Sequence, residues 1–126
     1  MNLKNKLIVR VGYFQSLVYI ITGVWPILDI HTFTMVTGPK VDIWLVKTVG
    51  LFITATGLVM FSALRRNEFN YSIILLAFLN ALFLTAIDTY YALTNVISNI
   101  YLLDAAMETV FWLFWGYVLL ALRRNQ

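Results

Sequence analysis

The sequence contains no cysteine and only one histidine, His31. The first absence excludes disulfides and thiolate chemistry. The second leaves a histidine-based metal site without its ligands. Charge is scarce as well: 12% of the residues are charged, about half the share typical of soluble domains. Proline occurs twice, at the end of one apolar run (Pro26) and beside Gly38 in a turn (Pro39). What the chain has in quantity is apolar surface, with 61% of its residues hydrophobic. This composition excludes a small soluble domain and implies an integral membrane protein. The net charge of +3 is no sign of nucleic-acid binding. The bases sit at the ends of apolar segments, where membrane topology accounts for them.

Four apolar stretches are long enough to cross a bilayer core, which takes roughly 20 helical residues. The expected helices lie near 7–28, 42–64, 71–94 and 100–122. The fold class is therefore all-α, a membrane-embedded four-helix bundle forming a single domain over residues 1–126. Asp42, Asn70 and Asn99 precede helices and have the chemistry of N-caps. The start, "MNLKNKLIVRVGYF", has bases before an apolar run, as a signal peptide would. No small-residue cleavage site follows, so the first helix is expected to be retained.

Basic residues set the expected orientation. Lys4, Lys6 and Arg10 precede or open the first helix, Arg65 and Arg66 follow the second, and Arg123 and Arg124 follow the fourth. The positive-inside rule then places both termini in the cytoplasm of a multi-pass inner-membrane protein. "ALRRN" occurs at 63–67 and again at 121–125, each time closing the second helix of a hairpin. Duplication of a hairpin and simple cytoplasmic arginine anchoring both account for it. The intervening loop, "DIHTFTMVTGPKV", carries Ile30, Phe33 and Met35 and could cap the outer end of the bundle.

Four ionisable residues fall inside the expected spans, away from the cytoplasmic ends: Lys47, Asp88, Asp104 and Glu108. At 1.5 Å per residue all four lie roughly 6–12 Å inside the outer boundary. An ionised Asp or Lys costs ~2.5–3.5 kcal/mol at the bilayer centre. These groups should therefore face one another or a wet cavity. On the helical wheel Tyr101, Asp104, Glu108, Trp112 and Trp115 fall within about an 80° arc. Asp88 shares its face with Ala77, Ala81, Leu84, Thr85 and Tyr91, and Lys47 with Trp44, Gly50 and Thr54. The first helix gathers Gly12, Gln15, Ser16, Tyr19, Thr22 and Gly23 on one side. Gly50 and Gly57 suit packing better than hinging.

Three readings of the buried charges stay open at this point. They form a ligand-binding or catalytic pocket, a structural feature (a buried ion pair that fixes helix register, or the polar face of a ligand-free subunit sealed against a partner), or a path for protons or ions. The ligand-binding set would be Lys47, Asp88, Tyr91, Asp104, Glu108 and Trp112. No phosphate loop, nucleophile elbow or zinc motif occurs, so no catalytic residue, metal or cofactor is expected. The expected partners are the lipid bilayer and a small amphipathic ligand; nucleic acid is not among them, and a homo-oligomer is left open.

"TGPKVDIWLVKTVG" (37–50), "AIDTYYAL" (86–93) and "IYLLDAAMETVFW" (100–112) resemble segments of small bacterial four-helix membrane proteins of no assigned function. In layout the chain also resembles the EXPERA superfamily, which holds acids and aromatics around a sterol-sized pocket. The residues carrying that likeness are Asp88, Asp104, Glu108, Trp112 and Tyr91. The chain lacks a second histidine and a His–Glu pair within its helices, so the isomerase chemistry of that superfamily is not implied. The resemblance implies a small amphipathic or lipid-like ligand held at the acids.

Overall fold

The computed structural model describes residues 2–126, and these form five helices: α1 (Lys6–Leu28), α2 (Ile30–Thr37), α3 (Ile43–Arg65), α4 (Tyr71–Leu93) and α5 (Tyr101–Arg124). All but α2 are long and apolar enough to cross a membrane. At 23 or 24 residues each extends about 35 Å. Their outward faces carry large apolar side chains, among them Phe14, Ile21, Phe52, Phe83, Leu103 and Leu120. In water such surfaces would collapse on one another, whereas in a bilayer they meet lipid. The four-helix, all-α, multi-pass architecture expected from the sequence is the one observed, with each span within two residues of its expected boundaries.

Residues 29–41 hold more structure than a loop. The Asp29 side chain accepts from the Thr32 N–H at 3.2 Å and so caps a two-turn helix, α2. That hydrogen bond holds the Asp29 carboxyl below its ordinary pKa of 3.8. Gly38, at φ 97°, ends the helix in a conformation that a side chain would strain. Asn70 caps α4 as expected, by accepting from Ile73 N–H. Asp42 makes no cap bond. At the start of α5 it is Ser98 Oγ, not Asn99, that accepts from a backbone N–H, that of Ile100. Asn67 and Asn95 adopt left-handed backbone (φ 57° and 61°) just beyond α3 and α4. Asparagine tolerates this geometry, and Glu68 N–H and Val96 N–H close back onto Ala63 O and Tyr91 O.

The long helices associate as two pairs, α1 with α3 and α4 with α5. Small residues bring α1 and α3 together at backbone distance. A Cβ on Gly50 would lie 2.5 Å from Gly23 O, and one on Gly57 would lie 2.7 Å from Ser16 O. Gly50 and Gly57, seven residues apart, lie on one helix face, as do Ser16 and Gly23 opposite. Backbone contact between the two pairs is sparse, and side chains fill the space. Toward the end that carries Arg65, Arg66, Arg123 and Arg124, the filling is apolar and tight: Ile8, Met60, Leu64, Phe69, Ile74 and Val118 are all buried there. Toward the α2 end the filling changes character.

Candidate functional site: an acid-floored cavity beneath α2

Between the helix pairs, at the α2 end, lies a cavity of about 450 Å³ that takes lining residues from all five helices. Its walls are mostly apolar: Trp25 and Pro26 from α1, Phe33 and Val36 from α2, Val46, Val49 and Ile53 from α3, Leu84 and Ile87 from α4. Three carboxyls reach it, those of Asp88, Asp104 and Glu108. They line one cavity because the Asp88 face of α4 and the Asp104–Glu108 face of α5 both turn inward. Asp104 and Glu108 are four residues apart, one helical turn.

Glu108 is 1% exposed, and a buried carboxyl without a partner is costly. Its partner is the Tyr19 hydroxyl, which donates to Oε2 at 2.8 Å. Tyr19 in turn accepts from Gln15 Nε2 at 2.9 Å. Gln15 Nε2 also donates to Ala77 O at 3.2 Å, and Gln15 Oε1 accepts from Trp115 Nε1 at 2.5 Å. Residues from α1, α4 and α5 are thereby joined through one fully buried side chain. Below this network Trp115 packs against Phe69 and Phe114, and the apolar core begins. Asp88 is the contrasting case. It is also buried, yet its Oδ2 has no hydrogen-bond partner.

The ammonium at this site belongs to Lys40. Its Nζ lies 5.2 Å from the centre of the Tyr101 ring and 6.0 Å from that of Phe33. It donates to Thr37 O and Gly38 O, both at 3.0 Å, and to Thr37 Oγ1 at 3.3 Å. Partial burial lowers its pKa from the ordinary lysine value. Lys40 makes no ion pair with the acids. Among the described residues the one ion pair is Arg66–Glu68, exposed on the surface at the opposite end.

Three residues expected at the site are elsewhere. Lys47 is half-buried on α3 but does not line the cavity. The cavity-facing positions of α3 are Leu45, Val46, Val49, Gly50 and Ile53, and a further 100° step from Val46 carries Lys47 off that face. Tyr91 lies one turn beyond Asp88, partly exposed and packed edge-on against Tyr90. Trp112 lines a separate groove near the arginine end, with Tyr71, Phe78 and Arg123. The tryptophan beneath Glu108 is Trp115.

Tyr19, Gln15, Tyr101 and Lys40 complete the site. The polar stripe on the first helix was the sequence signal for Gln15 and Tyr19, and the arc on the fourth span was the signal for Tyr101. For Lys40 the only signal was its place after a Gly-Pro turn, which returns the chain toward the bundle. No family model, curated protein or solved structure matches the chain.

Proposed function

We propose that this is an inner-membrane protein with both termini in the cytoplasm that binds a small amphipathic or lipid-like molecule in the cavity beneath α2. The observation that carries this reading is the cavity's make-up, with apolar walls across from three carboxyls that have no ion-pair partner. Pockets for small molecules combine those features, an apolar lining and a few convergent polar groups. The orientation rests on Lys4, Lys6, Arg10, Arg65, Arg66, Arg123 and Arg124, which gather at one end of the bundle. In that orientation the cavity opens toward the outer leaflet. The layout likeness to the EXPERA superfamily points to the same class of ligand. A proton-linked transporter is supported less well, because below Trp115 the space between the helix pairs is apolar and closed.

Native mass spectrometry of the full chain, extracted in mild detergent, tests the reading against Val46→Trp, which places an indole in the cavity. A small molecule should accompany the parent chain and be missing from the variant. The same bound species in both, or none in either, would refute it.

A further inference from the structure

We propose that the groove on the outer face of the α4/α5 pair holds one phospholipid of net negative charge, drawn from the leaflet on the arginine side. The site is separate from the cavity beneath α2 and independent of what that cavity binds.

The reach of the groove is the first argument. It has a volume of about 610 Å³ and takes its lining from Tyr71 and Arg123 at one end to Trp112 at the other. Tyr71 opens α4 and Arg123 lies in the last turn of α5. These helices run antiparallel, so both residues stand at the membrane edge. Trp112 stands at the middle of α5. The rise from Arg123 to Trp112 is roughly 16 Å, and half of a bilayer's hydrocarbon core is about 15 Å deep. A groove entered at the edge and closed at the midplane matches a lipid of one leaflet. A partner helix would need a face running the full ~30 Å.

The order of groups along the groove is the second argument. Arg123 and the Tyr71 hydroxyl stand at its mouth, and Tyr117 brings a second hydroxyl roughly 9 Å further in. The head-group layer of one leaflet is roughly 5–7 Å deep, and a tyrosine rooted just below it keeps its polar tip within it. Deeper still the lining is apolar. Phe78 and Gly116 are there, and Trp112, whose Nε1 is buried, offers ring carbon to the groove. Gly116 supplies the room: a Cβ at that position would lie 3.3 Å from the Phe78 ring.

Charge is the third argument. Among the described residues Arg123 makes no ion pair, and no acid lines the groove. A guanidinium and a phosphate join through charge-assisted, often bidentate hydrogen bonds, to which a tyrosine hydroxyl adds a donor. A zwitterionic head group would also bring an ammonium beside Arg123 and Arg124, with no carboxylate in the groove to receive it.

The test is native mass spectrometry of the delipidated full chain in a neutral detergent, titrated with phosphatidylglycerol or with phosphatidylcholine of the same acyl chains. The first phosphatidylglycerol should bind about fivefold more tightly than the first phosphatidylcholine, the equivalent of about 1 kcal/mol for one base facing an anionic lipid. Arg123→Gln, an exposed change, should abolish that preference, whereas Arg124→Gln, outside the groove lining, should keep most of it. Gly116→Leu should weaken phosphatidylglycerol by filling the groove. Val46→Trp, in the cavity beneath α2, should leave it unchanged. Phosphatidylglycerol brominated near its chain ends should quench the fluorescence of the parent more than that of Trp112→Phe.

Equal binding of the two lipids, or a preference that survives Arg123→Gln, would mean adventitious annular lipid only and overturn the proposal. So would quenching that is the same with and without Trp112. Loss of the preference in Val46→Trp would move the lipid to the cavity and overturn it as well. The two lipids on the unaltered chain and Arg123→Gln decide the matter even if Gly116→Leu fails to fold.

Discussion

The seam inside the α1/α3 pair and the seam between the two helix pairs are built on opposite plans. The first removes side chains: Gly23, Gly50 and Gly57 let backbones touch, and nothing is left over to fill or to bond. The second keeps the backbones apart and inserts large polar and aromatic side chains, which hydrogen-bond to one another across the space. Without water to drive apolar helices together, membrane bundles rely on close packing and interhelical hydrogen bonds, and each seam uses one of these. Close packing leaves no room for a guest. A seam held by long side chains can open into a cavity wherever those side chains stop, as this one does above Glu108.

The contrast can be broken most severely at the glycine seam. Gly57→Leu places a branched side chain against the backbone of Ser16 and Ile20. Overpacking of this kind costs typically 1–3 kcal/mol, and rigid backbone on the far side puts this site at about 3 kcal/mol or beyond. Loss of the folded state in detergent, or a large drop in thermal midpoint, is the expected result. An unchanged midpoint would mean that α1 and α3 sit further apart than described.

The polar seam should yield less. Gln15→Leu leaves Trp115 Nε1 buried without its acceptor, at about 1–3 kcal/mol. The midpoint should fall clearly, and ultraviolet resonance Raman should show the Trp115 indole losing its hydrogen bond. A midpoint equal to that of the parent would mean the network is ornamental to stability.

The smallest effect is expected at Lys47. Among the described residues none pairs with Lys47, so Lys47→Ala should change stability within about 0.5 kcal/mol. Removing one partner of a buried ion pair instead costs ~3–5 kcal/mol. A loss of that size on thermal unfolding would restore Lys47 to the acid cluster.

These seams were unequally legible in the sequence. Spans were readable because length and apolarity are enough to define them. Asp88, Asp104 and Glu108 were readable as neighbours because lipid penalises charge, and helix direction placed them at one depth. Rotation about the helix axis was harder. Lys47 and Val46 are adjacent in sequence, and apolar residues surround α3 on every side, so no amphipathic stripe marks which one faces inward. The same holds for Trp112 and Trp115, both apolar neighbours on α5, of which only Trp115 meets Gln15. Lys40 was hidden for another reason. Its position depends on the path of the chain through α2 and the Gly38–Pro39 turn, and no periodicity encodes such a path.

The hydrogen-bond chain beneath the cavity runs in a single sense. Trp115 donates to Gln15, Gln15 to Tyr19, and Tyr19 to Glu108. A proton wire must be able to turn every link around after each passage. An indole N–H has no lone pair with which to accept, so the first link can never reverse. The chain is therefore a fixed row of aligned dipoles, with its positive end against the Glu108 carboxyl. It orients that carboxyl in the floor of the cavity and insulates it from the half of the bundle below.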